Sequence, residues 1–309
     1  MLRDKGYELT VSEKDGVLTH SELQQALKEK PYDGVLCLLT DKIDAPVFEA
    51  APHAKIFANY AVGFDNVDLS EAKNRGITVT NTPGVLTDTV AEHTVALMLS
   101  ITSRIAEGDR LVRAGRYDGW APMMLLGTDL QGKTLGILGA GRIGARVAHI
   151  CSHGLGMRVM YYDLKQSPEF ETAVGATFCA DMDTLLREAD VVSVHVPLLD
   201  STHHLINAER LRMMKTTAYL VNSSRGPVID EAALVTALNQ GVIKGAALDV
   251  FEDEPRLAVG LSECENVVLT PHIASATDST REMMSELAAQ NLIAFFEGKV
   301  PPHAVSVAT

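Results

Sequence analysis

The chain has 309 residues, of which 46% are hydrophobic and 22% are charged. This length and composition suffice to bury a sizeable core and predict about two domains of roughly 150 residues each. The net charge of −13 opposes nucleic acid as a partner, because phosphate backbones are bound by clustered Lys and Arg. An apolar run long enough to span a membrane is absent, and the charged segment 1–7 does not have the pattern of a signal peptide, so we expect neither a membrane span nor secretion.

Short apolar runs alternate with helical patterns along the chain, which is typical of βα units around a parallel sheet. A first series predicts strands at residues 8–11, 34–39, 55–59 and 77–80. The pattern of residues 87–111 then predicts one long, substantially buried helix. A second series predicts six strands, at residues 134–139, 158–162, 191–196, 218–222, 245–248 and 267–270. The last helical pattern covers residues 278–297.

A glycine-rich segment directly follows the first strand of the second series and opens a helix. It reads Gly139-Ala-Gly141-Arg142-Ile143-Gly144. In this strand–turn–helix setting the pattern is specific for dinucleotides: the first glycine permits the turn, the second admits the pyrophosphate, and the third allows close helix packing. The helix N-terminus attracts the phosphates. The alternative is a purely structural glycine turn.

An acidic residue, Asp163, ends the next predicted strand, about twenty residues after the third glycine. A carboxylate there accepts hydrogen bonds from both hydroxyls of the adenosine ribose, and it repels a 2′-phosphate. The sequence therefore predicts NAD rather than NADP as the cofactor. Two features weigh against this prediction: Asp163 could be merely solvated, and the nearby Lys165 could blunt the repulsion.

The predicted elements imply an α/β fold with two domains. The second series of strands forms a Rossmann-type, doubly wound parallel sheet over residues 83–273, which is the NAD-binding domain. It is inserted into a flavodoxin-like α/β substrate domain, whose first part covers residues 1–82 and whose C-terminal part covers residues 274–309.

Three loops at the ends of the last predicted strands carry reactive side chains. The loops are Asn-Ser-Ser-Arg225-Gly, Asp-Val-Phe-Glu-Asp-Glu254-Pro and Pro-His272-Ile-Ala-Ser. Because the carboxyl ends of parallel strands meet at one edge of the sheet, we expect these loops to converge on one crevice. A cation, a carboxylate and an imidazole together form a plausible acid–base site.

With these segments the sequence resembles the D-isomer-specific 2-hydroxyacid dehydrogenase family over nearly its whole length. Residues 59–68, 81–87, 120–122 and 126–127 are most similar to the glyoxylate and hydroxypyruvate reductase branch. The resemblance implies reduction of a small 2-keto acid by NADH. It implies that Arg225 binds the substrate carboxylate and keto oxygen, that His272 is the acid–base, and that Glu254 orients His272 and keeps it protonated.

The resemblance also implies further contacts. To the cofactor it assigns Gly139, Gly141, Arg142, Ile143, Gly144, Asp163, His195, Ser223 and Asp249, the last of which fixes the nicotinamide carboxamide. To the substrate it assigns the backbone N–H groups of Val62 and Gly63, the side chain of Arg225, and Ser275. It does not imply a metal. Each residue has a plainer interpretation, such as a surface ion pair for Arg225, a solvated acid for Glu254 or a core histidine for His272.

Other functions on the same fold remain open at this point. One is a phosphoglycerate dehydrogenase, and another is a nonenzymatic, NAD-sensing protein resembling the family's corepressors. A formate dehydrogenase is disfavoured, because that branch carries Gln where Glu254 stands.

Four further expectations concern the whole protein. The family's first strand has no counterpart before residue 1, so we expect a natural start some twenty residues upstream. The helical region 87–111 predicts a homodimer, and Trp120 either reaches a neighbouring subunit or packs within its own. The four scattered cysteines have no metal-ligand spacing. They fit a reducing cytoplasm.

Overall fold

The computed structural model describes residues 1–305. The chain folds into two compact units. The terminal unit comprises Met1–Leu86 and Thr277–Thr309, and the central unit comprises Thr87–Ala276. The sequence places the corresponding boundaries after residues 82 and 273. Among the described helices, none combines the length and the apolar character that a membrane crossing requires.

The central unit is built on a parallel sheet of seven strands, β4 to β10, in the order β10-β9-β8-β7-β4-β5-β6. The strand order reverses between β4 and β7, which is the Rossmann arrangement and confirms the predicted fold class. The sequence predicts six of these seven strands and misses β6, a strand of two residues that is too short to produce a hydrophobic pattern. The strands are β4 (Thr134–Leu138), β5 (Arg158–Tyr162), β6 (Thr177–Phe178), β7 (Val191–Val194), β8 (Tyr219–Asn222), β9 (Gly245–Leu248) and β10 (Val267–Leu269).

Helices cover both faces of this sheet, and two apolar cores lie between them and the strands. Leu135, Ile137 and Val191 belong to one core, and Leu138, Val192 and Leu220 belong to the other, as expected for alternate residues of buried parallel strands. The helices are α4 (Thr87–Thr102), α5 (Ile105–Arg113), α6 (Arg142–Leu155), α7 (Pro168–Val174), α8 (Met182–Glu188), α9 (Ala208–Met213) and α10 (Glu231–Asn239).

The single long helix predicted over residues 87–111 is wrong. The structure has two helices, α4 and α5, separated at Arg104, whose backbone adopts the left-handed conformation with φ 56°. The carbonyl of Thr102 accepts a hydrogen bond from the N–H of Thr128 at 2.9 Å. The helix ends there because a segment distant in sequence takes up this carbonyl.

The terminal unit contains a three-stranded parallel sheet in the order β1-β2-β3. Its core includes Phe48 and Phe57, whose rings meet edge to face with centroids 5.1 Å apart. Ile56 and Ala58 of the central strand instead pack against Leu292 of the last helix. The elements are β1 (Gly34–Leu38), β2 (Ile56–Tyr60), β3 (Thr78–Thr80), α1 (His20–Lys28), α2 (Ala45–Ala50), α3 (Leu69–Asn74) and α11 (Asp278–Phe296).

The strand predicted at residues 8–11 is wrong. This segment has no regular secondary structure, and Leu9 and Val11 are exposed. The residues do alternate between polar and apolar, but within residues 1–305 no strand pairs with the segment. Isolated alternation does not make a strand, because the backbone groups need a partner.

Candidate active site

The glycine loop lies between β4 and α6, beside the point where the strand order of the sheet reverses. Gly139 has φ 93°, a conformation that L side chains rarely adopt. A Cβ on Gly144 would collide with the carbonyl oxygen of Gly139, whereas a Cβ on Gly141 would meet no atom within 4 Å. The open space above Gly141 and the N-terminus of α6 fit a pyrophosphate. Arg142 and Ile143 form the first turn of that helix.

Asp163 follows β5 directly and is tied to the glycine loop. One carboxylate oxygen accepts a hydrogen bond from the N–H of Ala140 at 2.8 Å, and the other accepts one from the N–H of Leu164 at 2.7 Å. The carboxylate is partly exposed. It therefore retains acceptor capacity beside the loop, since each carboxylate oxygen has two lone pairs.

His195 follows β7 and packs against the same loop. Its N–H donates to the carbonyl of Leu138 at 2.8 Å, and its own carbonyl lies 2.9 Å from the place that a Cβ on Gly139 would take. Its ring bonds to the hydroxyl of Ser193 at 2.8 Å. Burial lowers the pKa of His195 to about 4, so the ring is neutral at pH 7.

Arg225 stands in the turn after β8. Asn222 holds this turn: its side-chain oxygen accepts hydrogen bonds from the N–H and hydroxyl of Ser224, and its amide donates to the carbonyl of Arg225 at 2.9 Å. The next residue, Gly226, lies against the backbone of Phe251, where any Cβ would overlap the peptide group. This glycine, which the sequence analysis did not single out, allows the turn to contact the loop after β9.

Glu254 and His272 follow β9 and β10, which are adjacent strands. The Nδ1 atom of His272 and the Oε2 atom of Glu254 are 2.9 Å apart. The other carboxylate oxygen accepts a hydrogen bond from the N–H of Phe251 at 3.0 Å, which fixes the carboxylate. His272 has a left-handed backbone with φ 53° and is only partly buried. With Nδ1 engaged, Nε2 is the ring atom that remains for a substrate.

A buried carboxylate, Asp249, holds the loop that carries His272. It accepts hydrogen bonds from the hydroxyl of Thr270 at 2.6 Å and from the N–H groups of Ile273 and Ala274 at 2.9 and 2.8 Å. Nε2 of His93 lies 3.4 Å away. Burial alone would raise the pKa of Asp249, but these hydrogen bonds outweigh it and lower the pKa.

Sequence reasoning did not assign Asp249 this role, and it did not connect the residue to His93 and Thr270. The available signal was His93 itself, a lone polar ring in the largely apolar helix α4. Nε2 of His93 also lies 3.2 Å from the hydroxyl of Thr270. These contacts join the helix to the loop that begins after β10.

The remaining predicted residues occupy three places. The hydroxyl of Ser223 lies 2.6 Å from that of Thr94 in α4. Ser275 is partly buried a few residues beyond His272. Val62 and Gly63 belong to the terminal unit, in the loop that follows β2, and their carbonyls accept hydrogen bonds from the side-chain amides of Asn81 and Asn59.

A doubly wound sheet with a glycine loop at its switch point suits a dinucleotide, and an imidazole–carboxylate pair at the same edge suits proton transfer. Together they are the features of a nicotinamide-dependent oxidoreductase. Residues 95–274 match the family model described as D-isomer specific 2-hydroxyacid dehydrogenase, NAD binding domain. The chain is 52% identical to a glyoxylate reductase of Thermofilum pendens, over 95% of this chain and 86% of that protein.

Two solved structures show the same likeness. An NADPH-dependent glyoxylate/hydroxypyruvate reductase from Sinorhizobium meliloti, in complex with NADP and malonate, is 37% identical with a TM-score of 0.82, over 89% of this chain and 84% of that one. A D-lactate dehydrogenase from Aquifex aeolicus, complexed with NAD and lactic acid, is 33% identical with a TM-score of 0.82, over 93% and 90%. The chain belongs to the D-isomer-specific 2-hydroxyacid dehydrogenase family.

Proposed function

We propose that this enzyme reduces glyoxylate or hydroxypyruvate to the corresponding 2-hydroxy acid with NADH. The observation that carries the proposal is the pair formed by His272 and Glu254, 2.9 Å apart, in the loops after β10 and β9. Arg225 follows β8, the strand on the other side of β9. The name of the relative from Thermofilum pendens, glyoxylate reductase, supports the choice of substrate.

Each of the three side chains has a separate task in this reaction. The bound nicotinamide supplies the hydride. Arg225 binds the carboxylate and keto oxygen of the substrate, since a guanidinium is permanently charged and donates two parallel hydrogen bonds. His272 donates a proton from Nε2 to the oxygen that becomes the hydroxyl, and Glu254 stabilises the charged imidazole through Nδ1.

The backbone N–H groups of Val62 and Gly63 are proposed to bind the substrate carboxylate. The carbonyl that precedes each N–H is already engaged: that of Ala61 by the N–H of Thr82 at 2.8 Å, and that of Val62 by the amide of Asn81 at 2.7 Å. Because the carbonyl and N–H of a trans peptide point in opposite directions, both N–H groups point away from Asn81 and Thr82. Such paired N–H groups suit an anion.

Ser275 is proposed to contact the far end of the substrate. It follows His272 by three residues on the same loop and is partly buried. A hydroxyl there suits the terminal hydroxyl of hydroxypyruvate, which glyoxylate lacks. A Ser275→Ala variant should therefore raise the KM for hydroxypyruvate and leave that for glyoxylate unchanged.

A panel of substrates tests the proposed activity. The rate of NADH oxidation is measured with glyoxylate, hydroxypyruvate, pyruvate and phosphohydroxypyruvate at equal concentrations. We expect the highest kcat/KM with one of the first two. A clear preference for phosphohydroxypyruvate would instead identify a phosphoglycerate dehydrogenase. Tight NADH binding without turnover of any of the four would favour a nonenzymatic, NAD-sensing protein.

The preference for NAD over NADP is proposed from Asp163. Its carboxylate stands at the end of β5, held by the N–H of Ala140, where a 2′-phosphate would meet its charge. Repulsion and the lost ribose hydrogen bonds together favour NADH by about ten- to hundredfold in kcat/KM. Equal kcat/KM with NADH and NADPH would refute this preference, and the exposed Lys165 is then the residue to replace.

We further propose that two chains associate through exposed apolar side chains of the central unit. Trp120 is 80% exposed, and five further residues near it in sequence are exposed, namely Ile105, Val112, Tyr117, Met123 and Leu126. Trp120 is the sole tryptophan, so its emission should shift to the red on dilution as dimers dissociate. A monomer in sedimentation at micromolar concentration would contradict the homodimer.

A cytoplasmic location is also proposed. It is supported by Cys37, Cys151, Cys179 and Cys264, which are all buried as free thiols. Free buried thiols suit a reducing compartment. Localisation of a tagged chain in its native cell, by fractionation, tests this.

A further inference from the structure

We propose that His203, His204 and Glu252 form a binding site for a first-row divalent transition metal, with Zn²⁺ the favoured ion. The three residues each offer one ligand atom, and these atoms all lie within 4.8 Å of one another. The two histidines follow β7 in the turn before α9, and the glutamate follows β9. The carboxyl ends of parallel strands thus bring them together at one edge of the sheet.

The donor set determines which ion the site would take. Two imidazole nitrogens and one carboxylate oxygen suit Zn²⁺ and similar borderline ions, whereas Mg²⁺ and Ca²⁺ prefer oxygen ligands throughout. Three protein ligands leave the fourth position of a tetrahedral ion for water.

For His204 and Glu252, the spacing of the ligand atoms requires little movement. Nε2 of His204 and Oε1 of Glu252 are now 2.6 Å apart, which is a hydrogen bond. Two ligand atoms about 2.0–2.1 Å from one tetrahedral ion stand about 3.3 Å apart. The ion would replace the hydrogen-bonded proton and separate the two atoms by less than about one ångström.

The surrounding backbone already holds two of the ligands. His204 adopts a left-handed conformation with φ 49°, which non-glycine residues rarely do, and its N–H donates to the carbonyl of Pro227 at 2.8 Å. The N–H of Glu252 donates to the carboxylate of Glu231 at 2.8 Å, while Oε2 of Glu252 accepts from the N–H of Glu231 at 3.3 Å. Oε1 is thereby directed at His204.

His203 completes the set after a change of side-chain rotamer. Its ring stacks on that of His204 with centroids 4.1 Å apart and an interplanar angle of 27°, and it must turn before its in-plane nitrogen lone pair meets the same ion. His203 is exposed, so ordering its side chain costs more than ordering the other two. The local charge favours a cation, because Glu252, Asp253 and Glu254 are consecutive and Glu231 is hydrogen-bonded to the same loop.

Titration of the tag-free, full-length protein with Co²⁺ and Zn²⁺, after removal of bound metal by a chelator, tests the site. We expect one Co²⁺ per chain with the visible absorption of a tetrahedral ion, displaced by Zn²⁺, and a Zn²⁺ Kd below about 100 µM. His204→Asn and Glu252→Gln should each weaken binding more than about tenfold, which is the loss that even an outer-shell change can cause. His203→Asn should weaken it less.

Two matched controls locate the ion. His149 and His153 form a second histidine pair in α6, with ring centroids 4.4 Å apart, and His149→Gln should leave binding unchanged. Glu254→Gln, which alters the neighbouring carboxylate, should also leave it unchanged. The proposal fails if the wild type does not bind Co²⁺ or Zn²⁺ stoichiometrically, or if His204→Asn binds as tightly as wild type. His203 is exposed, so His203→Asn should fold normally. It therefore still tests the site if His204→Asn fails to fold.

Discussion

Two parts of one sheet edge achieve their geometry by different means. The glycine loop after β4 is formed almost wholly by backbone: Gly139 supplies a left-handed turn and Gly144 a close helix contact. The loop after β10 is instead held by side chains from distant segments, with Asp249 at the centre and His93 contributed by α4.

The difference follows from what each part has to hold. A pyrophosphate is recognised by N–H groups and a helix dipole, which any sequence offers once side chains are out of the way. A proton donor must be held at one position and in one tautomer, which takes a carboxylate at Nδ1 of His272 and a fixed loop. Removing a side chain from the loop after β10 should therefore slow the chemical step. Adding a side chain to the glycine loop after β4 should weaken cofactor binding.

The largest expected effect is that of His272→Ala. Turnover of glyoxylate should fall by about 10²- to 10⁴-fold, because the forming alkoxide loses its proton donor. NADH binding, measured by fluorescence, should stay within a factor of about three, because the glycine loop is untouched. A large loss of NADH affinity would show that the two parts are not separable in this way.

Gly144→Ala should weaken NADH binding, which His272→Ala should leave intact. The added Cβ would collide with the carbonyl of Gly139 and push α6 from the sheet, so the Kd for NADH should rise by about 10- to 100-fold. Gly154→Ala is the matched control in the same helix, since its Cβ would meet nothing within 4 Å. It should bind NADH normally and be slightly more stable. Equal behaviour of the two variants would contradict the packing role of Gly144.

Asp249→Asn should lower kcat by about tenfold and the free energy of unfolding by about 1–3 kcal/mol, because the amide cannot accept every hydrogen bond that now reaches the carboxylate. Thr270→Val removes one of those donors and should lower both kcat and the free energy of unfolding by less than Asp249→Asn does. The Kd for NADH distinguishes two roles. A positioning role leaves it unchanged, whereas the nicotinamide contact that the family resemblance implies would raise it.

The smallest effect concerns His195, which burial keeps neutral. Its pKa of about 4 in the folded protein lies below the ordinary 6.5. As the pH falls from 6.5 to 4, the unfolded chain takes up a proton that the folded protein does not, so stability is lost by at most about 1.4 kcal/mol per pH unit. His195→Gln should remove this part of the slope in urea unfolding at pH 7, 6 and 5. Superimposable slopes would show that His195 is protonated in the fold.

Much of the fold was predictable because its signals are local. The glycine motif, the apolar strands and the residues that end them each lie within a short segment, and the predicted α/β class with a Rossmann sheet was confirmed. The errors arose where contacts with distant segments of the chain determine the secondary structure. The N–H of Thr128 binds the carbonyl of Thr102 at the end of α4, and the segment 8–11 has no pairing strand among the described residues.

In the site, too, local features were predictable and contacts between distant segments were not. Arg225, Glu254 and His272 were predicted as site residues from their place at strand ends, and the structure brings Glu254 and His272 within hydrogen-bonding distance. The support that Asp249 and His93 give to the loop of His272 was not predicted. His93 and Asp249 are 156 positions apart, and the chain alone does not reveal that their side chains meet.

The Glu254→Gln variant tests the central claim most directly. Its amide keeps the shape of the carboxylate but not the negative charge beside Nδ1 of His272, so kcat/KM for glyoxylate should fall by about 10²-fold while the Kd for NADH stays unchanged. Glu252→Gln makes the same charge change two residues away, on a side chain that bonds to His204, and should leave kcat/KM within a factor of about three. If Glu254→Gln keeps the kcat/KM of the wild type, Glu254 does not support His272 and the account is contradicted.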